Sequence, residues 1–257
     1  MLATERQRRV LEHLREHGNA SVQELAALVD CSEPTLRRDL FALDTQGLIQ
    51  RSRGGAAFPS SGHLSSPPPN ATDDAWSNLA RLGAALVKDG ETIALGGGPL
   101  IAQLAAHLAD RKNLSVVTNS LLVSDALAES DVDVIVAGGL LRGAAMNLVG
   151  SRAERIFSEF GARRAFVSGD GLTSKWGLSC ADAASASVEQ VMASSAQEVA
   201  VIIDGGAVGT DAMSLTVPRN RIDDVVTDGN ASEAILDELR ESGVRVHIVR
   251  PHTGGER

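Results

Sequence analysis

The stretch Ser32-Glu33-Pro34-Thr35-Leu36-Arg37-Arg38-Asp39-Leu40-Phe41-Ala42-Leu43 decides how the start of the chain folds. Ser32 is placed to cap a helix whose first turn contains Pro34, where a missing N–H costs little. Leu36, Leu40 and Leu43 recur at helical spacing and form one buried face, so Arg37 and Arg38 point away from it. Just upstream, Val22, Leu25, Ala26 and Val29 make a short amphipathic helix behind Ser21, whose capping-box partner is Glu24. The turn between the two is Asp30-Cys31. Two short helices joined so tightly, the second with exposed arginines near its start, form the pattern of a helix-turn-helix, whose second helix enters the DNA major groove. A short strand is expected over 48–50. Arg51-Ser52-Arg53-Gly54-Gly55-Ala56 then reads as a basic wing tip whose glycines let the backbone approach a phosphate. Ahead of all this, 5–17 reads as a first helix with Val10, Leu11 and Leu14 inside and Gly18-Asn19 ending it. Its Arg6, Arg8 and Arg9 either touch phosphate or solvate the outer face, and solvation is favoured for at least two of them.

Residues 5–56 resemble the DNA-binding domain of the DeoR family of bacterial transcription regulators. The resemblance is carried by Thr35-Leu36-Arg37-Arg38-Asp39-Leu40 and by the wing from Arg51 to Ala56. It implies a double-stranded DNA operator as partner and Ser32, Thr35, Arg37, Arg38, Arg51 and Arg53 as the contacting residues. Arg37 and Arg38 would meet guanine edges or phosphates, Thr35 a thymine methyl or phosphate, and Arg51 and Arg53 phosphate or the minor groove. Taken without the wing and the preceding helix, two arginines after a capped turn are equally an ordinary solvated helix face.

Composition bounds the rest. The 257 residues suit a small domain joined to a medium one, and with only 3% aromatic residues the core is built from Ala, Val, Leu and Ile. The formal net charge is -9, which by itself argues against a nucleic-acid partner. Up to Phe58, however, eight arginines balance eight acids, so the whole acidic excess lies beyond. A neutral DNA-binding module on an acidic body suits specific binding with little non-specific binding. Cys31 and Cys180 are too few and too far apart for a disulfide framework or a zinc site, and neither a metal nor a cofactor is expected. With no apolar leader after Met1 and no uncharged run approaching a span, the expectation is a cytoplasmic protein without a membrane partner.

From Pro59 the composition shifts to Ser, Pro, Gly and Asn, which marks 59–74 as a linker between a DNA-binding domain over 1–58 and a second domain over 75–250. The helix-turn-helix occupies about 21–46 and the wing 48–57. A helix resumes near Asp73, where Trp76 serves packing or binding with equal weight. Strands at 92–95, 114–117, 132–136, 165–167, 199–203, 225–227 and 244–249 then alternate with helices at 100–108, 121–128, 152–160, 183–196 and 232–241. Such alternation predicts a parallel sheet with helices on both faces, a Rossmann-like α/β domain. In such a sheet ligands bind at the carboxyl ends of strands. There stand Gly96-Gly97-Gly98, Thr118-Asn119-Ser120, Ala137-Gly138-Gly139 and Ser168-Gly169-Asp170-Gly171. Glycine loops opening onto helix N-termini suit an anion, most simply phosphate, although each pair alone also serves merely to turn the chain.

This half resembles the effector-sensing domain of the same DeoR family, similar in fold to ribose-5-phosphate isomerase and coenzyme A transferases. Val116-Val117-Thr118-Asn119-Ser120, Ala137-Gly138-Gly139-Leu140-Leu141-Arg142, Leu148-Val149-Gly150 and Asp170-Gly171-Leu172 carry it. The resemblance implies a sugar phosphate or related metabolite as effector, with Gly97, Gly98, Thr118, Asn119, Gly139, Arg142, Asp170, Gly171 and Lys175 as candidate contacts, and no catalytic residue. The chain departs from the family's pattern in three places. Leu95 to Leu100 lacks the usual acid, serine and threonines; Gly205-Gly206 follows Asp204 where a serine-lysine pair is usual; and the acidic residues usual before the late helix are replaced across Ala181-Asp182-Ala183-Ala184-Ser185-Ala186. Without that lysine, Arg142 or Lys175 would have to supply a cation for a phosphorylated ligand.

The expected function is a transcription regulator, a repressor as is commonest in the family, whose DNA affinity an effector controls. Such a protein is a homo-oligomer, since paired half-sites multiply the affinity of a small interface. Two alternatives are an isomerase or acyl transferase on the same fold, with Asp170 or Asp204 as a proton-transfer group, and a constitutive DNA-binding protein whose second domain only oligomerises.

Overall fold

A computed structural model describes residues 3–17, 19–45, 50–51, 55–57, 73–142 and 146–249, and the chain divides into units of residues 1–60 and 61–257. Positions 48–49, the wing tip at 52–54 with Arg53, and the linker up to 72 lie outside the described residues. In the first unit α1 (Ala3–His17) buries Val10 and Leu14, and β1 (Asn19–Ser21) leads into α2 (Val22–Leu28). The capping box forms as the spacing predicts: Glu24 N donates to Ser21 Oγ at 3.2 Å, and Ser21 N to Glu24 Oε2 at 2.8 Å. The turn is made by Asp30 at φ 46°, a left-handed conformation that aspartate tolerates better than most residues.

α3 (Glu33–Thr45) buries Leu36, Leu40 and Leu43 against Leu14, Leu25 and Val29. β2 (Gln50–Arg51) and β3 (Gly55–Ala57) complete an antiparallel sheet in the order β1-β3-β2. A Cβ at position 55 would lie 2.3 Å from the Ala20 carbonyl oxygen, so β3 closes onto β1 only with glycine there. Three helices and a small three-stranded sheet make a winged helix.

In the second unit α4 (Asp73–Ala84) precedes β4 (Thr92–Leu95), α5 (Pro99–Ala106), β5 (Ser115–Thr118), α6 (Leu121–Leu127) and β6 (Asp133–Val136). A hairpin of β7 (Leu140–Arg142) and β8 (Asn147–Val149) leads to α7 (Ser151–Glu159) and β9 (Ala162–Val167). β10 (Gly171–Thr173) and β11 (Gly177–Cys180) form a second hairpin before α8 (Ala183–Ser195) and β12 (Ala196–Ile202). β13 (Ser214–Pro218) pairs with β11, and β14 (Asp224–Asp228), α9 (Glu233–Glu241) and β15 (Arg245–Val249) follow.

The central sheet runs β15-β14-β12-β9-β4-β5-β6, and every neighbouring pair in it is parallel. Alternation along the strands feeds two cores: Ile93 and Leu95 pack with Trp76, Leu79, Ile101 and Leu104 beneath α4, α5 and α6, while Ala94 faces Val188, Met192 and Phe157 beneath α7 and α8. Each of these large side chains contributes about 1.5–3 kcal/mol by leaving water. Chain order reverses between β4 and β9, so the crevice that such sheets use for ligands opens beyond the carboxyl ends of those two strands.

At the opposite, amino-terminal edge lies a polar knot. Buried Asp224 accepts from Arg245 Nη2 at 2.7 Å, lies 2.8 Å from His247 Nε2, and sits 3.8 Å from Arg164, which also pairs with Glu198. The network ties the starts of β9, β12, β14 and β15 together, far from the crevice in strand register.

Candidate functional site

On the winged helix the exposed side of α3 carries Ser32, Arg37 and Arg38, with Thr35 half-buried at its start. Ser32 Oγ and Thr35 Oγ1 share a hydrogen bond of 3.0 Å, which closes the first turn. Arg37 pairs with Glu33 one turn back at 3.3 Å, whereas Arg38 has no ion-pair partner among the described residues. Arg6 neither solvates α1 nor stands ready for phosphate. Its Nε donates to Asp39 at 2.7 Å, both side chains largely buried, which fixes α1 against α3. Asp39, inside the quoted run, is thus a packing residue. Arg51 belongs to β2, beside the wing tip.

In the second unit Gly98, Pro99 and Leu100 at the start of α5 line a cleft with Ser168, Gly169, Asp204 and Trp76. The loop before it is tightly held. Gly96 N donates to Phe166 O at 2.9 Å and continues the β4–β9 ladder, Gly97 N donates to Glu189 Oε1 at 3.4 Å, and Gly98 takes a φ of 99° as it caps α5. A Cβ at position 97 would lie 2.1 Å from Asn147 Nδ2, so that amide rests directly on the Gly97 backbone.

Asn119 gives its Nδ2 to Leu148 O at 3.0 Å and accepts Leu148 N on its backbone oxygen at 2.7 Å, pinning β8 to the end of β5. Its Oδ1, both side-chain amide atoms of Asn147 and the Oε2 of Glu189 are buried without a hydrogen-bond partner among the described residues. Asn147 and Glu189 are fully buried and Asn119 is 1% exposed.

Of the residues expected from the sequence, Gly97 and Asn119 belong to this cluster and Gly98 to the adjoining cleft. Thr118 is buried with its hydroxyl spent on the Ser120 N–H at 3.0 Å. Arg142 lies opposite Asn147 in the β7–β8 register but pairs with Asp182 at 3.4 Å. Asp182 in turn caps α8 by accepting from Ser185 N and Oγ. Asp170 accepts the Ala181 N–H at 2.7 Å.

Gly139 and Gly171 are explained by packing: a Cβ would lie 2.7 Å from Val149 O at the first and 2.3 Å from Thr210 O at the second. Lys175 is not brought to the crevice. It sits on the β10–β11 turn, whose Ser174 bonds Glu238 of α9 and whose Trp176 carbonyl accepts from Arg219 N at 3.2 Å. Asn147 and Glu189 escape a reading of local motifs. The one available signal was a carboxylate on the buried face of α8, four residues after Ser185 and three before Met192.

Charge at the crevice is acidic. Burial pushes the Glu189 carboxyl up to about 8, with the Gly97 N–H opposing and nearby Asp170 adding to the rise. Burial also acts to raise Asp182, but its bonds from Ser185 and Arg142 win and hold it below its ordinary value. Burial likewise raises the Cys180 thiol to about 12, which leaves it a poor nucleophile. Among the described residues no group of three or more His, Cys, Asp or Glu is placed to hold a metal, and no helix is long and apolar enough to cross a membrane.

A winged helix followed by a doubly wound parallel-sheet domain with a polar crevice at its switch point defines a DNA-binding regulator with its own sensing domain. The family model for the DeoR-like helix-turn-helix domain matches residues 6–62, and that for the DeoR C terminal sensor domain matches residues 74–229. The chain belongs to the DeoR family and is a DNA-binding transcription regulator. It is similar to the HTH-type transcriptional repressor GlcR of Bacillus subtilis, 27% identical over 99% of each chain. It is also similar to the glycerol-3-phosphate regulon repressor of Escherichia coli, 27% identical over 96% of this chain and 100% of that one. Among solved structures, ribose 5-phosphate isomerase A of Methanocaldococcus jannaschii aligns with 54% of this chain and 55% of that one at 17% identity and a TM-score of 0.41.

Proposed function

We infer that the protein is a repressor whose operator affinity is set by a sugar or sugar-derived metabolite bound at the β4–β9 switch point. The observation that carries this is the set of buried, unpartnered polar atoms on Asn147 and Glu189 at the Gly97 backbone and on Asn119, which bonds Leu148 beside Asn147, in a chain that also holds a winged helix. Relatives named as the glycerol-3-phosphate regulon repressor and the lactose phosphotransferase system repressor support the sugar-related class. Arg37, Arg38 and Thr35 would read the major groove, with Ser32 and the wing arginines Arg51 and Arg53 on the backbone. Gly98 and Arg142 would flank the effector. Sensing rather than turnover is the reading favoured, because Asp170 is committed to the Ala181 N–H.

Selection of bound fragments from sheared genomic DNA tests the first half. A few fragments sharing paired half-sites are expected, and random recovery would refute operator recognition. Arg37→Ala with Arg38→Ala is expected to abolish that selectivity while circular dichroism stays unchanged. Addition of sugars and sugar phosphates to the retained complex tests the second half, through release of the DNA, with an isomerase assay run alongside.

A further inference from the structure

We propose that the effector is an uncharged, unphosphorylated polyhydroxy compound, an aldose, ketose or alditol, whose hydroxyls take the open valences of Asn119, Asn147 and Glu189. The proposal rests on the sensing role argued above and narrows its ligand class. A buried donor or acceptor left unpaired costs about 1–3 kcal/mol, and four such atoms on three neighbouring side chains are expensive to keep without a function. Their chemistry is mixed: Asn147 offers a donor and an acceptor, Asn119 an acceptor, and the Glu189 carboxyl one oxygen that donates or accepts according to its proton. Vicinal hydroxyls, each donor and acceptor at once, match such a set.

A phosphate monoester does not. Glu189 lies against Gly96 and Gly97, Asp170 stands near Glu189, Asp204 lines the cleft with Gly98, and Arg142 is engaged by Asp182. A dianion would meet Asp204 and no cation among the residues that line the cleft, with Arg142 already paired. Asn147 rests on the Gly97 backbone and its amide is hidden from solvent, so a ligand must lift the β8 end of the hairpin to reach it. That displacement would tie occupancy to a change of shape in the sensing domain.

The experiment uses the full chain and a selected operator fragment. Three panels are compared by operator affinity and by melting temperature: neutral aldoses, ketoses and alditols; the phosphate monoesters of the same compounds; and their 2-amino-2-deoxy analogues. At least one neutral compound is expected to raise the melting temperature and change operator affinity tenfold or more, with its phosphate ester at least tenfold weaker. A phosphate ester or amino sugar that outperforms the neutral parent overturns the proposal but leaves the sensing role standing. If no compound in any panel acts on a specifically bound complex, the sensing role itself fails.

Two variants separate a ligand contact from a structural one. Asn147→Leu fills the same space without polar atoms and is expected to melt at or above wild type while losing the response at least tenfold; Asn147→Ala replaces it if it does not fold. An undiminished response in the folded variant overturns the proposal. Glu189→Gln keeps a neutral donor and acceptor in place and is expected to respond within threefold of wild type. Loss of response in that variant means that a carboxylate is required, and the neutral class is then wrong.

Discussion

Arg37 and Arg38 are neighbours in sequence with different commitments. Arg37 is held by Glu33, so it reaches DNA only by leaving an ion pair that, being exposed, is worth little. Arg38 needs to leave nothing among the described residues. Single alanine variants are therefore expected each to cost about 1–3 kcal/mol of operator binding if they read a guanine, with specificity relaxed at one base pair. A uniform loss across all sequences, read by competition binding, would assign that arginine to phosphate. Glu189 makes a prediction of opposite kind, on stability. Its folded value, about 8, lies above the ordinary 4.5. Between those limits the folded chain holds a proton that the unfolded chain has released, so stability falls as pH rises from about 4.5 to about 8. The loss is on the order of a few kcal/mol. Urea midpoints measured across that range are expected to decline for wild type and to stay flatter for Glu189→Gln.

At the scale of elements, hairpins and strand starts are held by close contacts that single substitutions reveal. Gly171 begins β10, and its missing side chain lets the segment at Thr210 pass 2.3 Å from where a Cβ would stand. Because the obstacle is backbone, Gly171→Ala is expected to destabilise the second unit by about 1–3 kcal/mol, measurable as a lowered thermal midpoint with DNA selectivity retained. Asp224 knits the starts of several strands. Burial acts to raise its carboxyl, but bonds from Arg245 and His247 outweigh that and hold it below 3.8. Its stabilising effect is therefore present above the unfolded value near 3.8 and is lost as pH falls through the lower folded one. Asp224→Asn removes the carboxylate that Arg245 and His247 share, while Arg164 keeps Glu198 and exposed Arg245 rehydrates, so the expected cost is about 1–2 kcal/mol. Acid denaturation curves would show the variant less sensitive below that pH.

Across the whole molecule, a charge-neutral DNA-binding segment is carried on a chain of net charge -9. Non-specific attraction to DNA is weak under those conditions, and one small winged helix offers few contacts. Strong binding then calls for two copies acting together. A fragment with two half-sites is expected to bind at least about a hundredfold more tightly than one with a single half-site, and equal affinity in a gel-shift titration would show that a monomer suffices.

What could be read before any coordinates were those features that neighbours along the chain impose. The Ser21–Glu24 box, the Leu36, Leu40 and Leu43 face, and the alternation of strands and helices each repeat within a few residues, so their physics is local. The short antiparallel strands β7, β8, β10, β11 and β13 were not legible, because they stand outside the strand–helix alternation that marked parallel strands of similar length. The reversal of strand order between β4 and β9 was likewise invisible to periodicity. So was the meeting of Gly97 with a carboxylate 92 residues away, since burial and the loss of hydrogen-bond partners arise only when distant segments are packed together. Local pattern sufficed for the helices, the parallel strands and the exposure of Arg37 and Arg38 on α3. Packing alone moved Lys175 away from the crevice, bound Arg142 to Asp182, and placed Asn147 and Glu189 where a ligand's hydroxyls would go.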